Sequence, residues 1–134
     1  MILLSQNSGQ LVLVFREMGG EGMDILFEMT EQTEYRSTYT GTLDGEVIGR
    51  AVIVKYQFDE ALIALRFLYL EGKGKGLMSR REFTDLFVAH LKSLGYTGLY
   101  METLDMEEGY ELGFQVLERD NSGWYPKYLC HREF

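Results

Sequence analysis

One stretch of this chain keeps a helical period, and nearly everything around it reads as strand. Phe83, Leu86, Phe87, His90, Leu91 and Leu94 fall at i, i+3, i+4, i+7, i+8 and i+11, one face of a helix. Arg80, Arg81, Glu82, Asp85 and Lys92 lie off that face, and Gly95 is a natural stop after the last turn. The spacing predicts a helix from Leu77 of about 18 residues, or ~27 Å. A single long apolar stripe must be buried against something, and the flanking β-rich runs supply a sheet.

Before the helix, Leu11 to Phe15 is an apolar run between turn compositions. Arg36 to Leu43 and Val47 to Val54 flank Asp44-Gly45, a strong hairpin signal, and Ala61 to Leu70 is a third strand. Met23 to Tyr35 fits either period, and Ile25, Leu26 and Met29 on one helical face favour helix. After the helix, Leu99 to Thr103 reads as strand and Glu107 to Leu112 as a short helix. Gln115 to Glu118 and Tyr125 to Arg132 read as closing strands. The fold class expected is α+β: a mixed, mostly antiparallel sheet with a long central helix.

The 134 residues fit one domain, and 46% hydrophobic residues suffice for a core without a metal or disulfide. Cys130 is the only cysteine, so no internal disulfide can form and a reducing cytoplasm is the expected home. No run approaches the ~18 apolar residues of a membrane span. Ser5-Gln6-Asn7 follows Met1 to Leu4 with no basic stretch, so no secretory leader is expected. The net charge of −8 argues against general nucleic-acid binding.

Within that acidic chain, Lys73, Lys75, Arg80 and Arg81 gather around Glu71-Gly72-Lys73-Gly74-Lys75-Gly76, between a strand and the long helix. Glycines at every second position let backbone N–H groups converge, and a helix N-terminus adds its dipole. The physical reading is a phosphate or pyrophosphate site. The spacing fits neither G-x-x-x-x-G-K-[ST] nor G-x-G-x-x-G, so neither nucleotide fold is supported.

The loop resembles the acyl-CoA motif of the GNAT-superfamily N-acetyltransferases, [Q/R]-x-x-G-x-[G/A]: every glycine matches, and Glu71 stands at the Gln/Arg position. Leu43-Asp44-Gly45-Glu46-Val47-Ile48-Gly49 resembles that family's D-G-E-x-x-G hairpin. Leu94-Gly95-Tyr96 with Leu99 to Thr103, then Leu112-Gly113-Phe114, follow in the family's order. The family's proline before the loop, its Asn before the short helix and the usual register of its tyrosine are missing. The resemblance implies a single GNAT-like domain spanning 1–134, with residues 1–36 divergent or uncertain.

The resemblance implies acetyl-CoA or another acyl-CoA as cosubstrate, and no metal. Backbone N–H groups of Gly72, Lys73, Gly74, Lys75 and Gly76 would hold its pyrophosphate, and the backbone of Arg66, Phe67 and Leu68 its pantetheine arm. A neutral amine would then attack the thioester, which needs a base, oxyanion stabilisation and an acid. Glu102 and Glu60 are the candidate bases and Tyr110 the candidate acid, with Tyr125 and Tyr128 as alternatives. Glu17, Glu21, Asp24, Glu28, Glu31 and Glu34 would attract a cationic amine or a basic protein. A homodimer is compatible with such a domain. The competing reading is a non-catalytic module that binds CoA or a protein.

Two other features carry less chemistry. Cys130 and His131 would point to opposite faces of a strand, which leaves Cys130 as a buried thiol. His90, on the apolar helix face, reads as a core histidine with satisfied nitrogens. One cysteine and two histidines make a zinc site improbable.

Overall fold

The computed structural model describes the backbone of residues 2–4, 12–18, 21–56 and 59–134, and the side chains of 25–56, 59 and 61–134. The strands are β1 (Ile2–Leu4), β2 (Val12–Met18), β3 (Glu21–Gln32), β4 (Arg36–Leu43), β5 (Glu46–Tyr56), β6 (Asp59–Leu70), β7 (Gly98–Thr103), β8 (Gln115–Asp120) and β9 (Lys127–Glu133). They form one sheet in the order β1-β2-β3-β4-β5-β6-β7-β9-β8. Neighbours are antiparallel except β6 and β7, which run parallel because a helical crossover joins them. The helices are α1 (Gly74–Leu77), α2 (Arg80–Ser93) and α3 (Met106–Glu111).

The β4–β5 hairpin forms where Asp44-Gly45 predicts it. Asp44 has φ 52° and Gly45 φ 81°, the pair of positive values that lets a two-residue turn match strand twist. The segment 23–35 corrects the sequence expectation: it is not helix but β3 and its exit. Ile25 and Phe27, fully buried, and the partly buried Met29 face the core at every second position. Pairing of Phe27 with Gly41 and of Met29 with Tyr39 fixes the two-residue period.

The long helix is also shorter than its apolar spacing implies. α2 has 14 residues and starts at Arg80, where Ser79 accepts from the Glu82 N–H at 3.0 Å and Glu82 accepts from the Ser79 N–H at 3.3 Å. The turn α1 is separated from it by Met78, whose backbone is extended.

α2 lies across β2, β3 and β6. Its Phe83, Phe87 and His90 meet Phe27 at ring-centroid distances of 5.5, 5.7 and 5.4 Å, and Tyr39 reaches His90 at 5.1 Å. Residues that alternate with this core, including Arg50, Val52, Val54, Phe67 and Tyr69, stand on the opposite sheet face. α3 packs on β7 and β8. Its Gly109 lies against Cys130, which shares the buried face with Met101. The described helices thus share one face of the sheet. Among the described residues no helix is long and apolar enough to cross a membrane.

Candidate active site

The cleft originates in a pairing defect. β6 and β7 are joined only by Ala64 with Tyr100 and Leu65 with Met101. β6 continues to Leu70 and β7 to Thr103 without further pairing, so the two strands separate from Arg66 and Glu102 onward. Arg66 is itself an extra residue on β6, since Val52 pairs with Phe67 and Ile53 with Leu65. Such a bulge bends its strand and re-aims a side chain. The consequence is a stretch of β6 whose backbone groups on the β7 side lack strand partners, as a strand-like ligand requires.

Three cavities of ≈ 230, ≈ 140 and ≈ 260 Å³ meet at this point, and Arg66 and Glu102 line all of them. The ≈ 140 Å³ cavity is on the helix side, between Leu68, Arg80, Glu108 and Leu112. The ≈ 230 Å³ cavity is on the other face, walled by Val54, Ala64, Tyr100 and Leu129. The ≈ 260 Å³ cavity opens between Thr103, Leu104 and Lys127. Cavities on the two faces of the sheet thus share Arg66 and Glu102 in their linings. The sequence-predicted Arg66, Phe67, Leu68 and Glu102 are brought together here.

The glycine loop follows directly from the end of β6, and its glycines differ in what surrounds them. Gly72 has φ 56°, a left-handed conformation. Gly74 is buried against the backbone of β5, where a Cβ would overlap the Ile48 carbonyl. Nothing lies within 4 Å of a Cβ at Gly76. Ile48 is the extra residue of a bulge, because Gly41 pairs with Gly49 and Thr42 with Val47. Its carbonyl also accepts the Glu71 N–H at 2.9 Å, which ties the loop to β5.

The N–H groups of Gly74, Lys75 and Gly76 already donate to Glu71, Gly72 and Lys73 carbonyls at 3.0, 3.3 and 3.1 Å. Those of Gly72 and Lys73 have no backbone partner among the described residues. The cations near the loop are also partly committed. Lys73 lies 3.3 Å from Glu46, Arg80 3.9 Å from Glu108 and Arg81 3.0 Å from Asp85. Lys75 has no ion pair among the described residues. Glu71 is paired with Arg50 at 3.2 Å, and this hydrogen-bonded carboxylate holds the guanidinium pKa above its ordinary value. The acid that opens the glycine loop is thereby charge-paired from β5.

Other sequence candidates are placed elsewhere. Tyr110 is 51% exposed on α3 and lines none of the three cavities. Gly109, not Tyr110, packs inward, with Cys130 Sγ 3.0 Å from where its Cβ would be. Glu60 lies on β6, and its side chain is outside the described residues, as are those of Glu17, Glu21 and Asp24. Tyr125 is exposed, and the half-buried Tyr128 lies under the Arg119 guanidinium.

Cys130 is buried, and desolvation raises its thiol pKa. His131 is on the other face, its ring 4.5 Å from Tyr100, so strand alternation separates the pair as expected. His90 is fully buried, but neither ring nitrogen has a hydrogen-bond partner among the described residues, which corrects the expectation of satisfied nitrogens. Among the described residues no group of three or more His, Cys, Asp and Glu could hold a metal.

Tyr100 was missed by sequence reasoning, although its two-residue offset from Glu102 puts both on one strand face. Arg80, Glu108 and Lys127 reach the cavities through tertiary placement, for which no local pattern is a signal.

No protein-family model matches the sequence, and no curated protein matches it. Solved structures do. An acetyltransferase of the GNAT family from Desulfovibrio desulfuricans superimposes with a TM-score of 0.58 at 15% identity, over 74% of this chain and 69% of that one. A GNAT family acetyltransferase from Elizabethkingia anophelis with acetyl-CoA bound gives 0.55 at 16%, over 75% and 77%. A Bacillus subtilis acetyltransferase in complex with CoA gives 0.54 at 13%, over 75% and 78%.

Proposed function

We propose that this chain, whose fold is that of the GNAT acetyltransferases, is an acyl-CoA-dependent N-acyltransferase acting on a primary amine. The observation that carries this reading is the opening of β6 from β7, lined by Arg66 and Glu102 and continuous with a glycine turn. The unpaired backbone edge at Arg66 to Leu68 suits the amides of a pantetheine arm. The open side of Gly76 and the unpaired Lys75 suit its phosphates. Acyl-CoA supplies the thioester carbonyl. We further take 1–134 to be one domain acting in the cytoplasm.

The chain's own residues have distinct roles in this reading. Unpaired backbone N–H groups of β6 donate to the carbonyl oxygen as it gains charge. Glu102, exposed at the mouth, takes a proton from the incoming ammonium, directly or through water. Glu28 and Glu31, two of the acids that suggested a cationic acceptor, stand on β3, three strands from the opening. Their contribution is long-range attraction of an ammonium, with contact left to groups at the cleft.

The position of Tyr110 favours a second reading, a module that binds CoA without turnover, since no phenol from α3 lines the cavities. Thermal shift with acetyl-CoA and thiol release across a panel of amines separate the two. Saturating acetyl-CoA at a hundredfold its Kd should stabilise the fold by about 2.7 kcal/mol. Absence of any shift at millimolar acetyl-CoA overturns both readings, and a shift without thiol release selects the module.

A further inference from the structure

We propose that the acceptor carries a carboxylate beside its amine, bound by Arg36 and Arg66, with an apolar side chain in the ≈ 230 Å³ cavity. Its class is a free α-amino acid with an apolar side chain. The reaction rests on the acyltransferase reading above; the binding site has geometry of its own.

Arg36 on β4 and Arg66 on β6 both contact one exposed ring: each guanidinium carbon is 5.9 Å from the centroid of Phe67. Phe67 is 52% exposed on the face opposite the described helices. Arg50, Arg80, Arg81 and Arg132 each have a carboxylate within 4.0 Å. Among the described residues Arg36, Arg66 and Arg119 have none, and Arg119 instead donates to Asn121 Oδ1 at 2.9 Å. Lys127, also without an ion pair there, lines the mouth beside Arg66. Each guanidinium is held by the Phe67 ring and has no carboxylate partner among the described residues, and its planar fork matches a carboxylate ligand.

The sheet register relates this pair to the cavity. Arg36 pairs with Val54, Val54 with Ala64 and Ala64 with Tyr100, so the four lie in one row across β4 to β7. The last three wall the ≈ 230 Å³ cavity, to which Leu129 adds another apolar surface. The same lining includes Tyr56, Arg66 and Glu102, so apolar walls and charged groups face one space, as a ligand with an apolar side chain and a charged head requires. A carboxylate at the arginine end leaves the amine near Glu102, which lines the same cavity. The amide N–C bond forms as the thioester C–S bond breaks. One ammonium proton leaves through Glu102 to solvent, and a second ends on the released thiol.

The test compares leucine, leucinamide, isoamylamine and phosphoethanolamine by thiol release from acetyl-CoA, and leucine with leucinamide by calorimetric titration. Leucine should exceed leucinamide and isoamylamine by roughly tenfold or more in kcat/KM, the value of a charge-assisted hydrogen bond. In Arg36→Gln that preference should fall toward one, and Arg36→Lys should restore only part of it. Unfolding midpoints of both variants check that the fold is retained.

Equal use of leucinamide, preference for phosphoethanolamine, or a preference unchanged in Arg36→Gln overturns the proposal. If no amine releases thiol, the acyltransferase reading fails on its own. Calorimetry then still decides the site: leucine binding lost in Arg36→Gln supports it, and no leucine binding overturns it.

Discussion

Gly72, Gly74 and Gly76 look equivalent in the sequence, and the residues around them make them three different positions. Gly74 has no space for a side chain, because the Ile48 carbonyl occupies the direction in which a Cβ would project. Gly74→Ala must displace either the turn or β5, so urea unfolding should record a loss of about 1–3 kcal/mol. A bulky acidic residue there would report packing first and phosphate binding second. Gly76 is the informative site. Gly76→Ala should unfold at the wild-type midpoint or above it, since alanine favours a helical turn. Gly76→Glu should keep the fold and weaken acetyl-CoA about tenfold by calorimetry, through like charge beside the phosphates. Unchanged affinity in Gly76→Glu would remove the loop from the binding site.

At the scale of elements, α2 depends on its first turn. Ser79 and Glu82 satisfy each other's backbone donors, so Ser79→Ala should cost about 1 kcal/mol in urea unfolding. A cost near zero would mean that the turn of α1 already fixes where α2 begins. The signal Ser79-Arg80-Arg81-Glu82 is present in the sequence, but apolar spacing alone extends the helix back to Leu77. Segment 23–35 was ambiguous for a different reason. Ile25, Phe27 and Met29 alternate, yet Ile25, Leu26 and Met29 also share a helical face, and only pairing with β4 decides between them. The Asp44-Gly45 hairpin, the α2 stripe and the opposed Cys130 and His131 depend on local periods and turn chemistry, and all three were legible. The bulge at Arg66 and the separation of β6 from β7 are properties of register between strands. Nothing within Leu65-Arg66-Phe67 marks them. The carboxylate pairing Arg50 to Glu71 is hidden in the same way, since the two are joined only by adjacent strands.

For the whole molecule, the −8 charge is less decisive than which charges are paired and which group is buried. His90 joins β3, β4 and α2: its ring lies 5.4 Å from Phe27, 5.1 Å from Tyr39 and 6.3 Å from Phe87, with both nitrogens unpartnered among the described residues. Desolvation lowers its pKa from 6.5 to about 4. As pH falls below 6.5 the unfolded chain binds a proton at this residue, and the folded chain does not until about pH 4. Stability is therefore lost progressively across that window and levels off below it. The total attributable to His90 is ~3 kcal/mol, from about 1.4 kcal/mol per pKa unit. His90→Phe keeps a ring among Phe27, Tyr39 and Phe87 and removes the ionisable group. Its urea midpoint should equal or exceed wild type at pH 7. The gap should widen as pH falls to about 4, while carboxylate titrations shift both curves alike. Parallel curves for the two proteins between pH 7 and 4 would show that His90 is hydrogen-bonded in solution, and the core would then hold a polar partner for it.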